Sequence, residues 1–223
     1  MIAPEDRERL GAQEVEQAAG ADWRVVLGRL HARFRTGDFA TGVRLLDAVA
    51  AAAEEHDHHP DLDLRYTSLE VRLRSHDVAG LTRRDVRLAT RISELAGELG
   101  VRADPAAPVC LEIALDTADE AAVRPFWRAV YGPDAVVSDG EVSDPAGRLP
   151  TLWFRGTTAH DEPRQRFHLD VWVPADQAEA RVAAVLAAGG RLVSDDEAPS
   201  FWVLADPEGN KACVCTWQER ERG

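Results

Sequence analysis

The chain has 223 residues, enough for one large domain or two small ones, and 45% of them are hydrophobic, enough for ordinary cores. Its 39 acidic against 26 basic residues give a formal charge of −13, which excludes nucleic-acid binding through a basic surface and leaves no polybasic membrane patch. No apolar run approaches the roughly 20 residues of a membrane span, and the charged start, MIAPEDRERL, lacks the apolar core of a signal peptide.

In chain order, residues 5 to 19 read as a polar, marginal helix. WRVVLGRLHARF alternates around Gly28-Arg29 and predicts a short hairpin. Asp38 is placed to cap a helix running to about Glu55, with Phe39, Val43, Leu46, Val49, Ala50 and Ala53 as its buried stripe. YTSLEVRLRSH reads as a strand, with Leu69, Val71 and Leu73 facing one way and Glu70, Arg72 and Arg74 the other. A helix then begins in LTRRDVRLATRISELAGEL, where Thr82 and Asp85 make a capping box and Leu81 and Val86 its hydrophobic staple. Helix, hairpin, helix, strand, helix is the order of an α+β layer with helices on one face of an antiparallel sheet. GVRADPAAP, residues 100 to 108, marks the boundary: Gly100 stops a helix, two prolines follow, and a new apolar run starts at Val109. Two domains are expected, 1–103 and 104–223, with most of the excess acid in the second. Three cysteines, Cys110, Cys213 and Cys215, make no disulfide framework, so a reducing, cytoplasmic setting is expected.

The segment EEHDHHP, residues 54 to 60, is the sharpest chemical signal. Glu54 and His58 are four apart and share a face if the helix persists, and Pro60 forces His59 towards an extended conformation. His76 closes the strand that follows, and a helix packed on the sheet would bring it beside the pair. Histidine is the side chain that titrates near neutral pH, so three imidazoles around one cleft suit proton transfer. Spacing alone leaves two other readings: a solvated surface cluster, or a zinc site drawn from His56, His58, His59 and His76. By itself, Asp85 is explained as a cap and Glu54 as a surface acid.

AEEHDHHPD followed by YTSLEVRLRSHDVAGLTRRDVRLA resembles the pterin-4a-carbinolamine dehydratase family. The likeness rests on Glu54, Asp57-His58-His59-Pro60, Tyr66, His76, Gly80-Leu81-Thr82 and Asp85, with Trp23 and Asp38-Phe39 upstream, over about residues 10 to 100. It implies a two-layer α+β fold in a homodimer or homotetramer. It implies a small-molecule pterin substrate, 4a-hydroxytetrahydropterin, dehydrated to the quinonoid dihydropterin in tetrahydrobiopterin-type recycling, with no cofactor. By the same resemblance His58 and His76 act as acids and His59 mainly binds substrate. Glu54 orients an imidazole, and Asp57, Ser75 and Asp85 belong to the substrate-binding set. Leu62 stands where many members carry an aromatic residue, Thr67 where asparagine is common and Ser75 where threonine is common, departures that bear on substrate fit. A non-catalytic pterin-binding or regulatory protein is the competing class.

The second half gives a strand and then a helix from about Glu120 to Gly132 (VCLEIALDTADEAAVRPFWRAVYG), a strand (RFHLDVWV), a glycine-stopped helix (AEARVAAVLAAGG) and two strands joined at Asp206–Asn210. The Asp-Pro-Glu-Gly-Asn turn and the Phe126-Trp127 pair resemble a glyoxalase-like domain of the vicinal-oxygen-chelate superfamily, whose paired βαβββ modules surround a cupped sheet. That resemblance implies four inward positions for a divalent metal. Glu112 and His168 fall on two, Cys213 on the last, and the remaining one lies near Trp153, which cannot ligate. The set is weak, so no metal is expected, with Glu112, His168 and Cys213 as its only candidates. Trp153, Trp172 and Trp202 would line a small-molecule cup or belong to the core. A metal-dependent lyase or dioxygenase in this half is the third reading.

Overall fold

Turn chemistry shapes the first sheet. In the computed structural model, which describes residues 3–131, 134–138, 140–158, 167–187, 189–205 and 211–219, the chain divides into two units, Met1–Pro108 and Val109–Gly223. In the first, β1 (Arg24–Val26) and β2 (Arg29–Arg35) are joined by Leu27 and Gly28, with φ of 47° and 66°. Two central residues at positive φ make the turn whose twist matches a hairpin. It lies one residue before the predicted Gly28-Arg29.

The polar N-terminal stretch is a 3-10 turn at Pro4–Arg7 followed by α1 (Ala12–Ala19), not one continuous helix. α2 (Phe39–His56) starts as expected, with Asp38 accepting from the Thr41 N–H at 2.8 Å. Its buried face is Gly42, Leu45, Val49, Ala52 and Ala53, whereas Phe39 is 51% exposed and Ala50 is exposed. The stripe is therefore turned relative to the predicted one. Gly42 shows why: a Cβ there would lie 2.6 Å from Cδ1 of Leu64, so the helix settles on the sheet through its one side-chain-free position.

Leu64 belongs to β3 (Asp61–Arg65), a strand the sequence reading did not locate, which pairs with β4 (Ser68–Leu73) across Tyr66-Thr67. In β4, Leu69, Val71 and Leu73 are fully buried, as the alternation predicts. α3 (Arg83–Glu98) opens with the predicted capping box. β5 (Arg102–Ala103) returns to pair with β2, and the Asp104 N–H donates to the Arg33 carbonyl at 2.7 Å. The sheet is antiparallel, ordered β1-β2-β4-β3 with β5 beside β2, and the helices pack against it around Trp23, Phe34, Leu45 and Ile92, all fully buried.

The second unit repeats one motif. β6 (Cys110–Thr117), α4 (Glu120–Tyr131), β7 (Val136–Ser138), β8 (Glu141–Ser143) and β9 (Thr151–Gly156) form the first βαβββ module. β10 (Phe167–Trp172), α5 (Ala178–Ala187), β11 (Arg191–Ser194), β12 (Phe201–Ala205) and β13 (Lys211–Cys215) form the second. The sheet order is β11-β12-β13-β10-β6-β9-β8-β7. Within each module first and last strands pair in parallel, and the modules join through the antiparallel β6–β10 pair. The Asp206–Asn210 turn, Gly132 and the Phe126 side chain lie outside what is described. Among the described residues, no helix is long and apolar enough to cross a membrane.

One core histidine makes the fold sensitive to acid. His31 on β2 is 7% exposed, pairs in register with Arg24 and Arg72, and has no partner for Nε2 among the described residues. Burial, then the charges of Arg72 and Arg29, push its pKa from 6.5 down to about 3. Above 6.5 the ring is neutral whether the chain is folded or not. Below it, the unfolded chain takes up a proton that the folded one refuses, so stability falls as pH drops towards 3. Urea unfolding of wild type should lose about 2 kcal/mol more than His31→Leu between pH 6.5 and about pH 5. Equal losses would remove His31 as the cause.

Candidate functional site

The site begins where α2 stops. Asp57 takes a left-handed conformation (φ 47°), and the N–H groups of Asp57 and His58 close back onto the Glu54 and Ala53 carbonyls. This turn takes His58 off the helix face that four-residue spacing would give it. Glu54 consequently meets His59, not His58, with Oε1 3.0 Å from Nε2, and both side chains are well exposed.

His58 turns inward and is 6% exposed. Its Nε2 lies 2.8 Å from Oδ1 of Asp85, which is fully buried at the third position of α3. The other carboxylate oxygen accepts from the Ser75 hydroxyl and the Thr82 N–H, each at 2.8 Å. A carboxylate only accepts hydrogen bonds, so Nε2 carries the proton. Ser75 is held in turn by the Thr82 hydroxyl at 2.8 Å and by paired backbone bonds with Gly80. His76 follows Ser75, opens a 3-10 turn at His76–Val78 and is exposed. Asp77 beside it pairs with Arg84, whose guanidinium holds the Asp77 carboxyl below its ordinary value.

His58, Ser75 and Asp85 therefore form one network, His76 stands one residue from it, and Glu54 with His59 forms a separate outer pair. Ser75 and Asp85, both 0% exposed, face the imidazole and the α3 cap. Asp57 supplies a helix end. Thr82 belongs to the network and was read only as a cap.

In the second unit, one face of the sheet walls a cavity of about 960 Å³. His168, Asp170 and Cys213 line it, with one donor atom from each lying within 4.8 Å of the others. Register aligns Asp170 with Cys213 on β13 and with Glu112 on β6. Glu112 is not in the group: its Oε2 accepts the Trp172 indole N–H at 2.6 Å. The Trp153 indole donates to Oδ2 of Asp170 at 3.0 Å, and its ring meets His168 edge-on. Asp170 is a site residue that the sequence reading missed, though its spacing from His168 puts both on one strand face.

A histidine-bearing α+β layer followed by a cupped, paired βαβββ sheet defines the class. Residues 8–95 match the family described as pterin 4 alpha carbinolamine dehydratase, and residues 112–215 match the glyoxalase-like domain. The chain is 39% identical over 89 residues to a protein of Metallosphaera sedula provisionally named pterin-4-alpha-carbinolamine dehydratase, covering 39% of this chain and 93% of the relative. It is 41% identical over 98 residues to one of Rhodopseudomonas palustris with the same provisional name, covering 42% and 97%. The crystal structure of a transcriptional coactivator/pterin dehydratase from Brucella melitensis is 30% identical, with a TM-score of 0.39, over 40% of this chain and all of that one. The chain belongs to the pterin 4 alpha carbinolamine dehydratase family through its first unit and carries a glyoxalase-like domain in its second.

Removing Asp85 would strand a buried imidazole, a hydroxyl and a helix N–H at once. Asp85→Ala should cost about 3 kcal/mol or more in urea unfolding, while Glu54→Ala, which breaks an exposed pair, should leave the midpoint where it is. Similar midpoints for both variants would contradict the network.

Proposed function

We propose that the first unit is a 4a-hydroxytetrahydropterin dehydratase of the tetrahydrobiopterin-recycling type. The observation that carries this reading is the buried Asp85–His58 pair, held by Ser75 and Thr82 one residue from His76.

The reaction asks little of a protein. The C4a–O bond breaks, the hydroxyl leaves as water with one added proton, and N5 gives up its proton as the C4a=N5 double bond forms. The transfer needs a proton donor for the leaving oxygen and an acceptor for the proton on N5, groups that work best when they titrate near the operating pH. His58 would act through Nδ1, since Asp85 holds Nε2. His76, exposed beyond the network, would be the second proton-transfer group. His59, steadied by Glu54, would bind the pterin from outside. Electrons are not exchanged with the protein, so the step calls for no redox cofactor. Ser75 and Thr82 act at one remove, by fixing the carboxylate that fixes the ring.

The test is spectrophotometric, with 4a-hydroxytetrahydropterin generated in place. Wild type should accelerate formation of the quinonoid product, and His58→Ala and His76→Ala should each lower kcat/KM by about 10²–10⁴-fold. Wild-type turnover no faster than the spontaneous reaction would end the enzymatic reading and leave a pterin-binding or regulatory protein.

A further inference from the structure

A metal on the cavity-lining face of the second unit is what the glyoxalase-like resemblance implies, but of the four positions it points to only His168 and Cys213 come together. Glu112 is drawn to the Trp172 indole, and Trp153 offers no lone pair to a cation. The third donor comes from elsewhere: beside the His168 imidazole and the Cys213 thiol on the neighbouring strand stands the Asp170 carboxylate, two residues along the same strand as His168. We infer that the second unit binds a zinc-type divalent ion through His168, Asp170 and Cys213, leaving the remaining coordination position facing the cavity. This goes beyond the dehydratase reading and does not depend on it.

Three features support the assignment. The first is convergence. The three donor atoms lie within 4.8 Å of one another, and a tetrahedral zinc with bonds of 2.0–2.3 Å needs them roughly 3.5 Å apart. Closing on an ion therefore asks for about 1 Å of side-chain movement. Asp170 and Cys213 are 5% and 7% exposed and sit on adjacent paired strands, so β-sheet register holds them in place.

The second is the carboxylate's orientation. Trp153 donates to Oδ2 of Asp170, and Oδ1 is the oxygen on the His168 side, 3.5 Å from its Nε2. An indole N–H that holds one oxygen and leaves the other to the ion is the kind of outer contact that tunes metal sites. The residue that cannot be a ligand thus serves the one that replaces it.

The third is donor type. Thiolate and imidazole together select zinc over magnesium, calcium or manganese, which prefer oxygen donors throughout. Three protein ligands beside a cavity of about 960 Å³ match the open pattern of catalytic zinc sites, whereas structural zinc is closed by four.

The full-length, untagged chain is stripped with a chelator and titrated with Zn(II) by calorimetry against a competing chelator, then with Co(II) by absorption. The inference expects one ion per chain and a thiolate-to-cobalt charge-transfer band. Cys213→Ser should remove the band. His168→Ala, Asp170→Asn and Trp153→Phe should each weaken zinc about tenfold or more, and Glu112→Gln should bind as wild type does. Absence of a one-to-one ion overturns the inference. So does a wild-type cobalt spectrum without the thiolate band, a result that needs no variant to fold. Loss of binding in Glu112→Gln with Asp170→Asn unaffected would return the site to the superfamily's positions.

Discussion

A fully buried carboxylate organises the first unit. Taking Asp85 out of water costs several kcal/mol unless donors surround it, and here they arrive from three directions: the α3 backbone at Thr82, the end of β4 at Ser75, and the segment after α2 at His58. None of these elements can shift without stranding the charge. The helix cap and the imidazole's position are therefore one interaction. Because Asp85 uses both oxygens, the helix start and the histidine cannot be tuned independently.

The same constraint explains which features were legible in the sequence. The capping box, the Asp38 cap and the alternation of Leu69, Val71 and Leu73 are written within a few residues, and each stands where local pattern puts it. The partner of His58 is 27 positions away, and four-residue spacing offered Glu54 instead. That rule fails because the helix ends at His56 and Asp57 turns left-handed. Asp85 already had a complete local explanation, so nothing nearby advertised its second contact. The rotated face of α2 has a similar origin. Val43 and Leu46 are apolar enough to read as core, but the close approach of Gly42 to Leu64 is a contact between elements. β3 escaped notice because DLDLR is short and half-charged, and its pairing with β4 completes it.

In the second unit, resemblance pointed to His168 and Cys213, but not to Asp170 beside them. Asp170 was within reach, since alternation along a strand puts it beside His168. Its neighbour Cys213 depends on a parallel register between β10 and β13 that no single strand encodes. Glu112 has the right residue type on the right strand, yet the Trp172 indole engages its carboxylate. Position within a fold family marks where a ligand could stand, and the placement of the side chains decides which carboxylate lies with His168 and Cys213.

Two histidines of the first unit show how much turns on one partner. His31 and His58 are almost equally buried, at 7% and 6% exposure, and both stand among charged residues in the sequence. His31 lies near the Arg72 and Arg29 guanidinium groups, its Nε2 has no partner among the described residues, and burial pushes its pKa to about 3, so at neutral pH it is a neutral part of the sheet. His58 meets a carboxylate, which gives its Nε2 an acceptor and puts the ring proton there. The two rings are thus alike in burial and differ in what meets them: Arg72 and Arg29 act on His31, while the Asp85 carboxylate meets His58.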